Sequence, residues 1–128
     1  MNMVLNLTQH PASSTQIAIG VVDLAGEYLA SLKDALLFDD LPDEQEIRFR
    51  AQHIAGLACM NEDDQFPGQA MIGGAFWLMA PLAEALRDIG IEPLFAFSVR
   101  ETEEQKQPDG SVRKVSVFRH AGFIPAVE

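Results

Sequence analysis

The segment Ala70-Met71-Ile72-Gly73-Gly74 decides the fold class that this sequence predicts. Its first three residues are apolar on both alternating faces, and two glycines follow them at once. Beyond the glycines, apolar residues recur at helical spacing, at Phe76, Met79, Leu82, Ala83 and Leu86. A short buried strand that turns directly into a helix has this pattern, and such strands are typical of parallel sheets.

The N-terminal third predicts a strand followed by helix. Residues 1–7 alternate between apolar and mainly polar positions, which indicates a strand. Ser13 and Gln16 have the spacing of a capping box, so a helix should begin directly after Ser13. The apolar face of this helix includes Val21, and two glycines weaken the helix near Leu24. We therefore expect one bent helix or two helices in this region.

The C-terminal part predicts a β-hairpin. Residues 91–100 and 112–118 have the composition of strands, and a turn signal at Pro108-Asp109-Gly110 separates them. A turn centred on Pro108 and Asp109 sets the register of the two strands. In this register Ser98 lies opposite Arg119, and Phe97 lies opposite His120.

The order of these elements predicts a single α/β domain over residues 1–128. We expect a small three-layer, Rossmann-like arrangement with three parallel strands, helices on both faces and an antiparallel C-terminal hairpin at the edge. A helix over residues 43–60, with Asp43 as its N-cap, belongs to this arrangement.

The composition limits the classes of function. The chain is 48% hydrophobic and 22% charged, which is typical of a soluble globular domain and excludes a disordered chain. A net charge of −10 and a pI near 4.6 disfavour binding to duplex nucleic acid. No stretch reaches the roughly 18 to 20 apolar residues of a membrane span, and no basic segment marks a signal peptide. The single cysteine requires no oxidising compartment. We therefore expect a cytoplasmic protein without a membrane partner.

The sequence also favours a homodimer. A sheet this small leaves an edge that needs cover. Apolar residues such as Phe123, Ile124 and Val127 continue past the last predicted strand and are available for an interface.

Chemistry-bearing residues follow the predicted strands at the end where open parallel sheets bind ligands. A glycine pair at a helix N-terminus leaves backbone N–H groups open, which suits a phosphate or a carboxylate. Arginine clamps anions, and histidine transfers protons near neutral pH. The candidate ligand-binding residues are Thr8, Gly73, Gly74, Ser98, Arg100 and Arg119, and the candidate catalytic residues are His10 and His120. We expect neither a metal nor a cofactor.

These candidates also have purely structural interpretations. The glycine pair is equally consistent with a tight strand-to-helix turn. His10 is consistent with an ordinary loop residue, and His120 with a packed residue of an edge strand. Arg100 and Arg119 are equally consistent with a surface ion-pair network, because several glutamates lie nearby in the sequence.

Other residues of interest fit a structural role better than a functional one. Phe76 and Trp77 fit the core or a pocket wall better than a platform for base stacking. Cys59 fits a buried, inert thiol near a helix end. The acidic run at residues 62–64 fits a solvated loop better than a magnesium site.

Three blocks of the sequence stand out together: Asn6-Leu7-Thr8-Gln9-His10-Pro11, Met71-Ile72-Gly73-Gly74-Ala75 and Ala96-Phe97-Ser98-Val99-Arg100-Glu101. With these blocks the sequence resembles a small family of bacterial, plasmid and prophage proteins of unassigned function. The resemblance covers nearly the whole chain, and it implies no catalytic residues. More remotely, the expected layout is similar to CRISPR-associated ring-nuclease and CARF-type domains, a likeness at the level of fold alone. That likeness implies a dimer that binds cyclic oligoadenylates at its strand ends.

Two functions are therefore compatible with the sequence. The first is binding of a nucleotide, a cyclic oligonucleotide or another phosphorylated small molecule, with metal-independent cleavage as an extension. The second is a non-enzymatic acidic protein of mobile elements that occupies a basic surface of a partner. An open, locally basic cleft at the strand ends favours the first function. A continuous patch of carboxylates together with a cleft filled by side chains favours the second.

Overall fold

The computed structural model describes residues 3–60 and 66–127, and within them the chain forms five strands and four helices. The strands are β1 (Val4–Leu7), β2 (Val21–Asp23), β3 (Gln69–Ile72), β4 (Glu92–Lys106) and β5 (Val112–Pro125). The helices are α1 (Ser14–Ala18), α2 (Gly26–Leu36), α3 (Glu44–Ala58) and α4 (Phe76–Asp88). None of these described helices is long and apolar enough to cross a membrane.

All five strands belong to one sheet with the order β2-β1-β3-β4-β5. Strand β1 pairs in parallel with β2 and β3, and β3 pairs in parallel with β4. Strand β5 pairs with β4 in the antiparallel sense at the edge. The predicted α/β fold with a mostly parallel sheet is confirmed. The chain moves outward from β1 to β2 and then returns past β1 to β3, so the strand order reverses between β1 and β3.

Strand β2 corrects the prediction that Val21 lies on a helix face. Helix α1 ends at Ala18, and Gly20 then adopts a φ of 103°. Glycine adopts this positive φ readily because it has no Cβ, whereas a residue with a side chain would be strained there. Val21 pairs with Val4 and is buried beside it on one face of the sheet. The sheet therefore contains four parallel strands instead of the three predicted.

The two faces of the sheet are covered unequally. Helices α2, α3 and α4 pack on one face and form the larger cluster of buried side chains, which includes Leu5, Leu7, Leu32, Ile54 and Leu82. The opposite face buries a smaller cluster: Val4, Val21, Met71 and Leu94, with Ala12 and Phe123 packed against it. All four residues of β1 are consequently buried. The third layer is thin, because α1 contributes no buried residue.

The predicted helix caps are confirmed. Ser13 and Gln16 form the capping box of α1. Asp43 caps α3 by accepting a hydrogen bond from the backbone N–H of Glu46 at 2.8 Å. Cys59 is the C-cap of α3 and is exposed, so the prediction of a buried thiol is wrong.

Strands β4 and β5 continue together beyond the parallel part of the sheet. Strand β3 pairs with β4 only as far as Leu94, whereas β4 and β5 remain paired to Lys106 and Val112. Residues 97–122 therefore form a two-stranded ribbon, here called the arm. At the usual rise of a strand the arm extends by about 30 Å. Both of its strands are longer than the sequence predicted.

The register within the arm differs slightly from the predicted one. Ser98 lies opposite His120, Val99 lies opposite Arg119, and an irregularity separates Ser98 from Phe97. A bulge adds one residue on one side of a strand pair. The strands pair symmetrically about Asp109, from Lys106 opposite Val112 onward, and not about Pro108 and Asp109, so Ser98 is displaced by one residue before the irregularity is reached. The irregularity then displaces Phe97 by one residue more, to Gly122.

Candidate functional site

A cavity of about 430 Å³ opens at the carboxyl ends of β1 and β3. It lies at the reversal of strand order between these two strands, which is where open α/β sheets bind ligands. Four of the predicted site residues line this cavity: Thr8, His10, Gly73 and Gly74. Gln16 at the start of α1 and Phe95 of β4 also line it. We refer to it as the strand-end cavity.

Asn6 fixes the segment that follows β1. Asn6 is only 3% exposed. Its Nδ2 donates to the carbonyl oxygen of His10 and to Oδ1 of Asp23, both at 2.8 Å. Its Oδ1 accepts from the backbone N–H of Thr8 at 2.9 Å and from Oγ1 of Thr8 at 2.7 Å. These four contacts use both donors and both lone pairs of the amide. The walls of the cavity formed by Thr8 and His10 therefore depend on a buried amide.

Asp23 connects the same segment to β2. Its carboxylate accepts from Asn6 and from the backbone N–H of Ala12, the latter at 3.2 and 3.3 Å. Neither Asn6 nor Asp23 was predicted as a site residue. The sequence feature that could have indicated a role for Asn6 is its amide side chain within an otherwise apolar strand, shortly before Thr8 and His10.

Gly73 and Gly74 play different roles. A Cβ on Gly73 would lie 3.3 Å from Cγ2 of Thr8, in the lining of the strand-end cavity. A Cβ on Gly74 would instead face Cδ2 of Leu36 at 3.6 Å and the end of Met79 at 3.9 Å, on the side of the helices. Gly74 has a φ of +138°, a conformation that favours glycine. Gly73 therefore exposes its backbone to the cavity. At Gly74 glycine is favoured by the positive φ of the backbone.

Helix α4 begins beside the strand-end cavity without a side-chain cap. Its N-cap, Ala75, makes no side-chain hydrogen bond, and its first turn contains no acidic residue. The first N–H groups of a helix lack intrahelical partners and carry partial positive charge. Among the described residues, the lining contains no carboxylate, although the whole chain has a net charge of −10. These features suit a bound anion.

His120 contacts the cavity indirectly, through Gln16. The Oε1 of Gln16 accepts from the backbone N–H of Ser13 at 3.0 Å, which orients its Nε2 toward Nδ1 of His120 at 3.3 Å. An amide nitrogen can only donate, so Nδ1 accepts and the proton of the neutral ring resides on Nε2. That Nε2 is buried without a hydrogen-bond partner, and the ring packs on Phe123 with centroids 4.7 Å apart. His120 thus positions Gln16 and does not line the cavity.

The remaining predicted site residues belong to the arm and do not line the strand-end cavity. Arg119 forms salt bridges with Glu101 and Glu103, as the ion-pair interpretation predicts. The guanidinium of Arg100 lies 5.9 Å from the ring centroid of Phe118. Ser98 is exposed on the arm beside His120. The structure therefore brings the N-terminal candidates together and leaves these three outside.

The described residues also form other cavities, of which two are large enough to compare with the strand-end cavity. One of about 330 Å³ lies between α3 and α4 and is lined by Cys59, Arg48 and Glu84, among others. A smaller one of about 110 Å³ lies on the other side of residues 8–11 and includes Asp23 and Lys33. Neither lies at the reversal of strand order, so the geometry of the sheet makes the strand-end cavity the stronger candidate site.

The described residues contain no group of three or more His, Cys, Asp or Glu side chains that could hold a metal ion. The acidic run at residues 62–64, interpreted from sequence as a solvated loop, lies outside the described residues.

The fold and its cavity define an α/β protein with a potential ligand site at the switch point of a mostly parallel sheet. The chain belongs to the Uncharacterized protein MJ1673 family, whose profile matches residues 2–124. The resemblance to a small family without an assigned activity agrees with this membership. No curated protein and no solved structure shows a significant match to the chain.

Proposed function

We propose that the strand-end cavity binds a phosphorylated small molecule of the nucleotide class. One observation carries this proposal: an open cavity without carboxylates lies where the strand order reverses, beside the uncapped N-terminus of α4. In an acidic protein such a cavity is the favourable place for an anion. The remote likeness to ring-nuclease and CARF-type domains adds cyclic oligonucleotides to the candidate ligands.

In this proposal the backbone holds the phosphate. The N–H groups around Gly73 and the first turn of α4 supply the donors, and the absence of a Cβ on Gly73 allows close approach. The hydroxyl of Thr8 already directs its hydrogen to Asn6 and to the carbonyl oxygen of His10, at 2.7 and 3.1 Å. Thr8 therefore shapes the cavity, and its hydroxyl is not a free donor for the ligand.

Cleavage of the ligand would require proton transfer. Of the two predicted catalytic histidines, only His10 lines the cavity, so we assign a general acid or base role to His10. His120 acts through Gln16 as a positioning residue. The test for cleavage is conversion of a bound cyclic oligonucleotide, which His10→Ala should abolish while binding persists.

The second function weighed from the sequence, an acidic protein that occupies a basic partner surface, predicts a cleft filled by side chains. The strand-end cavity is open, which supports ligand binding, but among the described residues its lining contains no lysine or arginine, so the support comes from its openness and its lack of carboxylates and not from a basic cleft. Failure of every phosphorylated ligand to bind would reverse this preference.

A thermal-shift panel of nucleotides, cyclic dinucleotides and cyclic oligoadenylates tests the proposal. A ligand present at 100 times its Kd should stabilise the protein by about 2.7 kcal/mol. Gly73→Ala should weaken that ligand by about tenfold, because the new methyl group enters the lining beside Thr8. Gly56→Ala on α3 is the matched control, since its Cβ would meet nothing within 4 Å. Equal affinity in wild type and Gly73→Ala would reject this site.

We also propose that the chain forms a homodimer through the arm. Isolated two-stranded ribbons are only marginally stable in water, and much of the arm is exposed on both faces. The arm carries five of the nine basic and four of the nineteen acidic residues, a net charge of +1. The rest of the sequence has four basic and fifteen acidic residues, a net charge of −11. The arm of one copy is therefore complementary in charge to the rest of another copy.

Sedimentation at tens of micromolar protein tests the dimer. We expect a dimer that dissociates as salt increases and that Arg113→Glu with Lys114→Glu shifts toward monomer. The Lys33→Glu variant carries its charge change on α2 and should remain dimeric. A wild-type monomer under these conditions would contradict the dimer without affecting ligand binding.

A further inference from the structure

Phe76 and Trp77 occupy an unexpected environment at the start of α4. Phe76 is 82% exposed and Trp77 is 41% exposed, so the prediction that they belong to the core is wrong. A phenylalanine this exposed gains little hydrophobic stabilisation from the folded chain. It is available to contact another molecule.

The aromatic pair is held by a series of ring contacts. Phe76 meets Trp77 at 5.2 Å between centroids with an interplanar angle of 76°, and Trp77 meets Phe38 at 5.5 Å and 73°. The guanidinium of Arg50 lies 4.2 Å from the ring centroid of Phe38, and Arg50 is itself paired with Glu46 at 2.8 Å. Edge-to-face contacts of this kind fix ring orientation. Phe76 is therefore both supported from beneath and open to solvent.

The position of this pair relates it to the strand-end cavity. Gly74 lines the cavity, and Phe76 follows two residues later, so their Cα atoms are at most about 7 Å apart. The backbone of Phe76 is therefore close to the backbone donors at the start of α4, and the rings of Phe76 and Trp77 lie outside the lining of the cavity itself. A molecule that carries both a phosphate and a flat ring matches this combination.

We propose that Phe76, supported by Trp77, stacks on the nucleobase of a nucleotide whose phosphate occupies the strand-end cavity. This inference rests on the proposed function and narrows its ligands to those with a base. Stacking on an aromatic side chain tolerates every base, because each base has a π face. The site should therefore distinguish nucleotides from other phosphate esters more strongly than one base from another.

The only tryptophan of the chain supplies the readout, because Trp77 contacts Phe76 directly. The probes are ADP, UDP, ribose 5-phosphate and pyrophosphate, with affinities measured by calorimetry and the emission of Trp77 recorded in parallel. We expect ADP and UDP to change the emission and to bind more tightly than ribose 5-phosphate. Phe76→Leu should weaken ADP by about tenfold and leave pyrophosphate unchanged.

Phe49→Leu is the matched control, because Phe49 is an exposed phenylalanine on α3. Phe49→Leu should change neither the affinity for ADP nor the affinity for pyrophosphate. Equal binding of ADP to wild type and Phe76→Leu, without a change in Trp77 emission, would overturn the stacking inference while leaving phosphate binding intact. No binding of any probe, pyrophosphate included, would reject the proposed function and the inference together. A change in the oligomeric state of ligand-free Phe76→Leu would identify the pair as a protein interface and would also overturn the inference.

Discussion

Replacing Asn6 by aspartate should destabilise the protein more than the exchange of one heavy atom suggests. The amide nitrogen of Asn6 donates at 2.8 Å to the carboxylate of Asp23 and at 2.8 Å to the carbonyl oxygen of His10. In Asn6→Asp an oxygen replaces this nitrogen, so three acceptors face one another around a buried position. Two hydrogen bonds are lost, and two carboxylates come into contact.

The magnitude follows from the contacts that are removed. A hydrogen bond to a charged group contributes about 1.5 to 3 kcal/mol, and one to a neutral carbonyl about 0.5 to 1.5 kcal/mol. With the added repulsion we expect Asn6→Asp to lower the free energy of unfolding by about 3 to 5 kcal/mol. For a chain of this size each kcal/mol corresponds to about 4 °C, so Tm should fall by about 12 to 20 °C.

A double-mutant cycle with Asp23→Asn isolates the contact. The double variant again pairs one amide with one carboxylate, so it should recover at least 1 kcal/mol relative to the sum of the single changes. Calorimetric or fluorescence melting of the four proteins provides the measurement. Additive effects of the two substitutions would refute the claim that this network holds the segment after β1. A decrease in Tm of less than about 4 °C for Asn6→Asp would refute it as well.

Three further outcomes follow from individual residues. Gly74→Val should lower stability by about 1 to 3 kcal/mol because of the positive φ. Ligand affinity of the folded Gly74→Val variant should persist, because a side chain on Gly74 would face Leu36 and Met79 and not the cavity that its backbone lines. Loss of affinity in the folded variant would contradict this orientation. The backbone N–H and Oγ of Ser111 donate to Asp109 and hold its pKa below the ordinary 3.8. This contribution to the turn is complete above pH 3.8 and is lost as the pH falls through the lower folded pKa. The Ser111 amide resonance should therefore titrate with a midpoint below 3.8, and a midpoint at or above it would contradict this. Cys59 should react fully with a thiol reagent without denaturant, and protection would argue against its exposure.

Hydrophobic pattern was sufficient for the central part of the fold. Strand β3 and the helix after it were predicted because apolar residues, glycines and helical spacing agree over residues 70–86. The location of the candidate site also followed, since the carboxyl ends of parallel strands lie on one side of a sheet. The capping residues Ser13 and Asp43 were predictable because each makes a local hydrogen bond within its own turn.

Features that depend on distant partners were not predictable in the same way. Strand β2 has three residues, too few for periodicity, and Val21 also fits the helical spacing of its neighbours. Asn6 alternates with apolar residues and was therefore assigned to a polar face, whereas both faces of β1 are covered. Ser98 and Arg100 follow the predicted strand in sequence, but β4 leaves the parallel sheet after Leu94 and carries them into the arm.

The arm gives the protein a part whose length can change without disturbing the rest. Its residues pair only with each other among the described strands, so a deletion on both sides of the turn shortens the ribbon and leaves β1 to β3 untouched. Side chains along each strand of the arm alternate between its two faces. Removing one residue from each strand therefore moves every side chain between the deletion and the turn to the opposite face, whereas removing two residues from each strand leaves these side chains on their original faces. Natural variation in this ribbon should therefore occur in matched pairs of residues. The reach of the arm can diverge among related proteins while the sheet and its cavity stay constant.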